Sequence, residues 1–144
     1  MKVKVITVSK TEDEEAVISA VNITDNIKNA INILENGEAS ILGYKDQQMV
    51  PLNVSQIYYI ESVDEKSFAY TKNDCYEIKY KLYELEEMLD WRFLRMSKSL
   101  IGNIRKIKNV KGIENARLCA TLLNDEKIVI SRSYVKDLKK KLGL

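Results

Sequence analysis

Two short stretches of this chain set long cations beside small hydroxyl residues. The first is Phe93-Leu94-Arg95-Met96-Ser97-Lys98-Ser99-Leu100-Ile101-Gly102-Asn103. The second is Ile130-Ser131-Arg132-Ser133-Tyr134. The mixture suits a phosphate backbone, because Arg and Lys neutralise its charge while Ser hydroxyls and turn N–H groups donate short hydrogen bonds to its oxygens. Arg also matches the O6/N7 edge of guanine. Neither stretch is a glycine-rich nucleotide loop, since the chain contains no GxxxxGK[ST] and no GxGxxG.

Other chemistries are poorly supplied. The chain has no histidine, which removes Ser-His-Asp triads, Cys-His dyads and His-based metal sites. Cys75 and Cys119 form no CxxC pair and are expected to be free thiols. No catalytic residue, metal site, cofactor or small-molecule substrate is expected. The net charge of +2 hides a division: residues 1–44 hold four basic and seven acidic side chains, and residues 45–144 hold nineteen and fourteen. From Trp91 to Ile113 seven cations occur with no Asp or Glu among them, namely Arg92, Arg95, Lys98, Arg105, Lys106, Lys108 and Lys111. Such a run attracts polyanions, or it is a solvated basic face with no partner. The N-terminus lacks the apolar core of a signal peptide, and no apolar run approaches the ~18 residues of a membrane span. A cytoplasmic protein is expected.

The elements that must position these residues are mostly strands. Lys2–Ser9 and Glu15–Val21 read as two strands. Thr24 is a natural N-cap for a helix whose Ile27, Ile31 and Leu34 share one face and which stops at Asn36-Gly37. Residues 1–36 therefore read as β-β-α. Short β-branched and aromatic runs follow at 39–44, 49–52, 57–60, 68–71, 76–78, 104–110, 117–123 and 127–130, separated by polar turns. Leu82, Leu85 and Leu89 mark a helix across 81–89, and residues 134–142 form the last one. Its Lys139, Lys140 and Lys141 complement the negative helix C-terminus. Many short strands with few, short helices give a mainly β, α+β overall, antiparallel domain over 45–144, preceded by the β-β-α segment of 1–44.

Four motifs stand in order along residues 45–144: Ile57–Glu61 (Ile-Tyr-Tyr-Ile-Glu), Leu82–Leu89 (Leu-x-x-Leu-Glu-Glu-x-Leu), Phe93–Asn103 and Ile130–Tyr134. Together they resemble the LytTR family of bacterial DNA-binding domains. The resemblance implies a sequence-specific transcriptional regulator that binds double-stranded DNA, with loops and turns rather than a recognition helix entering the major grooves. It assigns DNA contacts to Lys98 and Arg132, with a third in the loop near Lys66 or Ser67. Arg95, Ser99 and Asn103 match positions that touch phosphate or hold the loop. The family's usual His is Ser97 here, which removes one contact, and its usual Val before Asn is Gly102, which is expected to loosen the turn.

Each residue also has a plainer reading. Arg95 would pair with Glu86 or Glu87. Ser131 or Ser133 would cap the last helix, Asn103 would satisfy turn backbone, and Lys106 and Lys108 would line a solvated strand face. The 44 residues before the domain are too few for a phosphoacceptor receiver. They would serve cis packing or a homodimer, and the resemblance implies that a small membrane protein restrains some small regulators of this kind. The alternative function is a protein–protein interaction module acting on such a partner or on a full-length relative.

Overall fold

The computed structural model describes residues 1–37 and 39–144, with the backbone alone for Asn36. The chain divides into two units, Met1–Gly37 and Glu38–Leu144.

In the first unit α1 spans Asp25–Asn36. The Thr24 hydroxyl accepts from the Ile27 N–H, and Gly37, at φ 76°, returns its N–H to Ile33 O, as the sequence led one to expect. The two expected strands are absent: residues 1–24 contain no strand. A turn does form where they would join, with Glu12 N–H donating to Ser9 O. Alternating valines specify a strand only when a ladder partner covers one face, and here Val3, Val5, Val17 and Val21 all remain exposed.

Among its described residues the second unit holds ten strands, all paired antiparallel: β1 (Ser40–Lys45), β2 (Gln48–Asn53), β3 (Tyr59–Val63), β4 (Lys66–Tyr70), β5 (Cys75–Ile78), β6 (Phe93–Ser97), β7 (Leu100–Asn103), β8 (Ile107–Ile113), β9 (Arg117–Leu122) and β10 (Lys127–Ile130). Seven of them form one sheet in the order β2-β1-β5-β4-β3-β7-β6, and three form a second in the order β10-β9-β8. The helices α2 (Leu82–Met88) and α3 (Val135–Leu142) complete the unit. Among the described residues no helix is long and apolar enough to cross a membrane.

The period of two along the strands explains the layering. Ile57, Ile60, Ala69, Ile78 and Ile101 face one side of the large sheet and pack with Leu82 and Leu85 of α2. Their neighbours Tyr58, Met96 and Leu100 face the other side, where Leu118, Leu122, Ile128 and Ile130 of the small sheet and Leu138 of α3 cover them. The large sheet is thus buried on both faces around β3, β7 and β6, and Tyr59 and Tyr70, directly opposite on β3 and β4, stack at 4.4 Å. Burial, then the neighbouring Cys75, pushes the Tyr70 hydroxyl up to about 12.

Three local features depart from the sequence reading. Phe93–Asn103 is a β-hairpin rather than an open loop. Residues 104–106 form a 3-10 turn because the Asn103 side-chain Oδ1 accepts from the Arg105 N–H, so the following strand starts at Ile107. Gly102 does not loosen a turn. It lies buried within β7, and a Cβ there would sit 2.5 Å from Met96 Sδ. The Met96 side chain fills the space that a valine would take. Gly102→Val should therefore overpack the core and cost about 1–3 kcal/mol. Urea denaturation followed by circular dichroism would read the loss, and adding Met96→Ala should recover part of it.

Candidate nucleic-acid interface

The β6–β7 hairpin presents Lys98 and Ser99 at its turn, both exposed. Arg95 builds that turn. Its Nε donates to Ser97 O at 2.8 Å, its Nη2 donates to Lys98 O, and its Nη1 reaches Glu86 Oε1 at 3.0 Å. The guanidinium thus ties the turn's carbonyls to α2, and the pairing with Glu86 is the plainer of its two readings. Ser97 adds a local bond, its Oγ accepting from Ser99 N–H. With its backbone held this way, the hairpin projects the Lys98 side chain from a fixed base. Among the described residues Lys98 has no carboxylate partner.

A β-bulge brings the second cationic stretch alongside. The register between β6 and β7 slips between Arg95 and Ser97, which leaves Met96 as the extra residue. Its carbonyl accepts from Ser131 N–H at 2.9 Å. Lys98 follows Met96 by two residues and Arg132 follows Ser131 by one, so both cations stand at the same end of the sheet. Ser131 contributes its backbone here. It makes no side-chain cap to the last helix, and neither does Ser133. The 3-10 turn Arg132–Tyr134 replaces a cap, with Tyr134 N–H on Ser131 O and Val135 N–H on Arg132 O.

The β3–β4 turn reaches this end as well, through Ser62 N–H on Ser99 O at 2.8 Å. It is not a loop. Asp64 and Glu65, at φ 50° and 66°, close a two-residue turn, and Lys66 and Ser67 already belong to β4. The Ser67 side chain is buried. Lys66 lies 3.6 Å from Glu77, and the hydrogen bond from Lys79 together with the charge of Lys66 holds that carboxyl below the usual carboxylate range. Asn103 stands apart from the exposed group. It is 1% exposed, donates to Ile57 O and accepts from Arg105 N–H, so both ends of its amide are used inside the protein.

The seven-cation run is less uniform in space than in sequence. Arg92 binds Asp90 at 2.7 Å, Arg95 binds Glu86, and Lys108 lies 3.3 Å from Asp125. Arg105 stacks over Trp91 and Lys106 over Tyr58, at 5.5 and 5.1 Å from the ring centroids. Acids that lie outside the run in sequence neutralise three of its members. Conversely, Arg132, Lys136, Lys139 and Lys140 line a single concavity beside α3. Reading Lys139–Lys141 as a helix-dipole complement overlooked that; the spacing 132, 136, 139/140 was its sequence signal.

Cationic turns carried on an antiparallel framework, with no metal-binding cluster among the described residues, give the domain a positively charged end. Comparison with known proteins gives the domain a family. Residues 47–143 match the model of the LytTr DNA-binding domain, and the chain belongs to that family of DNA-binding, non-enzymatic domains. An uncharacterized HTH-type transcriptional regulator of Staphylococcus aureus strain NCTC 8325 is 30% identical over 129 residues, 88% of either chain. One from strain MSSA476 is 28% identical over 146 residues, covering 100% of this chain and 99% of that one. The solved LytTr DNA-binding domain of a putative methyl-accepting/DNA response regulator from Bacillus cereus superposes with a TM-score of 0.71. It is 26% identical and covers 75% of this chain and all of that one. Among the described residues of the second unit five strands separate α2 from α3, so these two helices form no helix-turn-helix.

The roles of Arg95 and Lys98 separate by experiment. Arg95→Ala should cost roughly 1–3 kcal/mol, because it strands turn carbonyls and Glu86 together. Lys98→Ala, an exposed substitution, should stay within about 0.5 kcal/mol. Thermal melts of the two variants check this, and amide exchange at Ser97–Ser99 should accelerate only in the first.

Proposed function

We propose that the chain is a sequence-specific regulator of transcription that grips duplex DNA with its cationic turns, Lys98 and Arg132 reaching base edges in the major groove and Ser97, Ser99 and Ser131 lying against phosphate. The observation that carries this reading is the Ser131 N–H to Met96 O bond, which ties the two turns to one end of the sheet. Lys66 is a flanking contact that must first leave Glu77. Ser67, Arg95 and Asn103 act from behind, as framework.

A titration of duplex DNA by fluorescence anisotropy at several salt concentrations tests the reading. Log K should fall against log salt by about 0.9 per phosphate neutralised. Lys98→Ala and Arg132→Ala should each weaken binding with little change in melting temperature. Arg132→Ala should also relax discrimination between preferred and scrambled duplex, by roughly 1–3 kcal/mol if it reads guanine. A salt-independent association, or wild-type affinity in both variants, would end the proposal.

The first unit favours a companion role in protein contact. Val3, Val5, Val17, Val21 and Ile23 lie exposed, more apolar surface than a segment without partners needs. A second copy of the chain is the simplest cover, and a homodimer would set two cationic ends against paired half-sites in the cytoplasm. A small membrane protein that restrains the regulator is the other. Light scattering should give the mass of a dimer for the full chain and of a monomer when Val3 and Val5 are both changed to Ser. A monomeric wild type at tens of micromolar would remove the homodimer.

A further inference from the structure

A concavity of about 800 Å3 lies between α3 and the β8–β9 hairpin. Arg117 of β9 stands on one wall, and Arg132, Lys136, Lys139 and Lys140 stand on the other, while Leu118 and Val135 supply apolar lining. No acidic side chain lines it among the described residues. Arg117 Nε donates to Glu114 O at 3.1 Å, which fixes its guanidinium plane. None of the five cations has a carboxylate partner among the described residues.

We propose that this groove holds the phosphate backbone of the duplex segment flanking the one gripped at Lys98 and Arg132. The inference rests on the duplex-binding reading above and adds a track to it. Arg132 belongs to both surfaces, so a strand leaving the turn face enters the groove without crossing neutral ground. From Arg132 to Lys140 the helical rise spans about 12 Å. Measured along the duplex axis, where one strand advances about 3.4 Å per phosphate, that is the rise of three to four phosphates, a match for an extended polyanion rather than for one small anion.

The helix dipole does not account for the arrangement. It favours cations in the last turn, where Lys139 and Lys140 lie, and disfavours them at the N-terminal end. Lys136 is the second residue of α3 and Arg132 lies in the turn before it. Two cations at the positive end of a helix raise its energy; Asp137 in the same first turn offsets part of that cost, and an anion shared between the two cations would offset the rest. Apart from Arg132, which the duplex-binding reading places at base edges, the groove's cations are assigned to phosphate alone, so their contribution is uniform across sequences.

The test compares the intact chain with the variant K136Q/K139Q/K140Q, in which Gln keeps length and helix propensity. Both are titrated by anisotropy against a random-sequence duplex of 30 base pairs and against a duplex selected by the wild type from a random pool. The triple variant should lower the salt slope by about two to three, at 0.9 per phosphate contact. It should weaken both duplexes by the same factor and leave their affinity ratio unchanged, whereas Lys98→Ala should lower that ratio. Arg117→Gln, on the opposite wall, should lower the slope by about one. A wild type that binds with a steep slope, alongside a triple variant of equal slope, overturns the groove and spares the turn face. A triple variant that changes the affinity ratio overturns the backbone role assigned here. A wild type that binds neither duplex overturns both readings together.

Discussion

One backbone hydrogen bond joins the two sheets where the chemistry lies. The bulge at Met96 releases a carbonyl from the β6–β7 ladder, and Ser131 takes it up. Met96 sends its side chain inward, fully buried over Gly102, so the carbonyl's direction is fixed by core packing. The hairpin that offers Lys98 and the 3-10 turn that offers Arg132 then have a single shared anchor. Without the bulge Met96 would spend its carbonyl within β6 and β7, and the small sheet would have nothing on that edge to hold. The missing side chain at position 102 makes the arrangement possible, because a β-branched residue there and a thioether at position 96 cannot occupy the same volume.

Strands with alternating β-branched and aromatic residues were legible from the sequence, as were α1 with its Thr24 cap and Gly37 stop, α2 with its leucine stripe, and most of the turns. Their signals are local: a period, a cap, a turn residue. What was not legible depends on partners remote in sequence. Lys2–Ser9 carries a strand's alternation, yet alternation says nothing about whether another strand will pair with it. Phe93–Asn103 was transparent as chemistry and opaque as structure, since its hairpin is closed by Arg95 reaching across its own turn to Glu86. Gly102 reads as a weak point in one dimension and proves to be a packing site in three.

Charge behaved in the same way. A run of seven cations without an acid is a fact about order along the chain, and folding brought Asp90, Glu86 and Asp125 against three of them. Two more settled on aromatic rings, where a cation is attracted to the face of the π system and loses reach. The cations assigned to DNA come from separate elements, β9, the β6–β7 turn, the segment after β10 and α3, which lie far apart in sequence.

Beside Lys98 and Ser99 sits the turn of Asp64 and Glu65, brought there by the bond from Ser62 to Ser99. The rim of the domain is therefore mixed in charge, with the two acids of the β3–β4 turn beside the cationic β6–β7 turn. A polyanion arriving at this rim feels a torque as well as an attraction. On the proposed reading the acids of that turn repel it locally while Lys98, Arg132 and α3 attract it, so its angle of approach would be set by the long-range field and the closer contacts would inherit that choice.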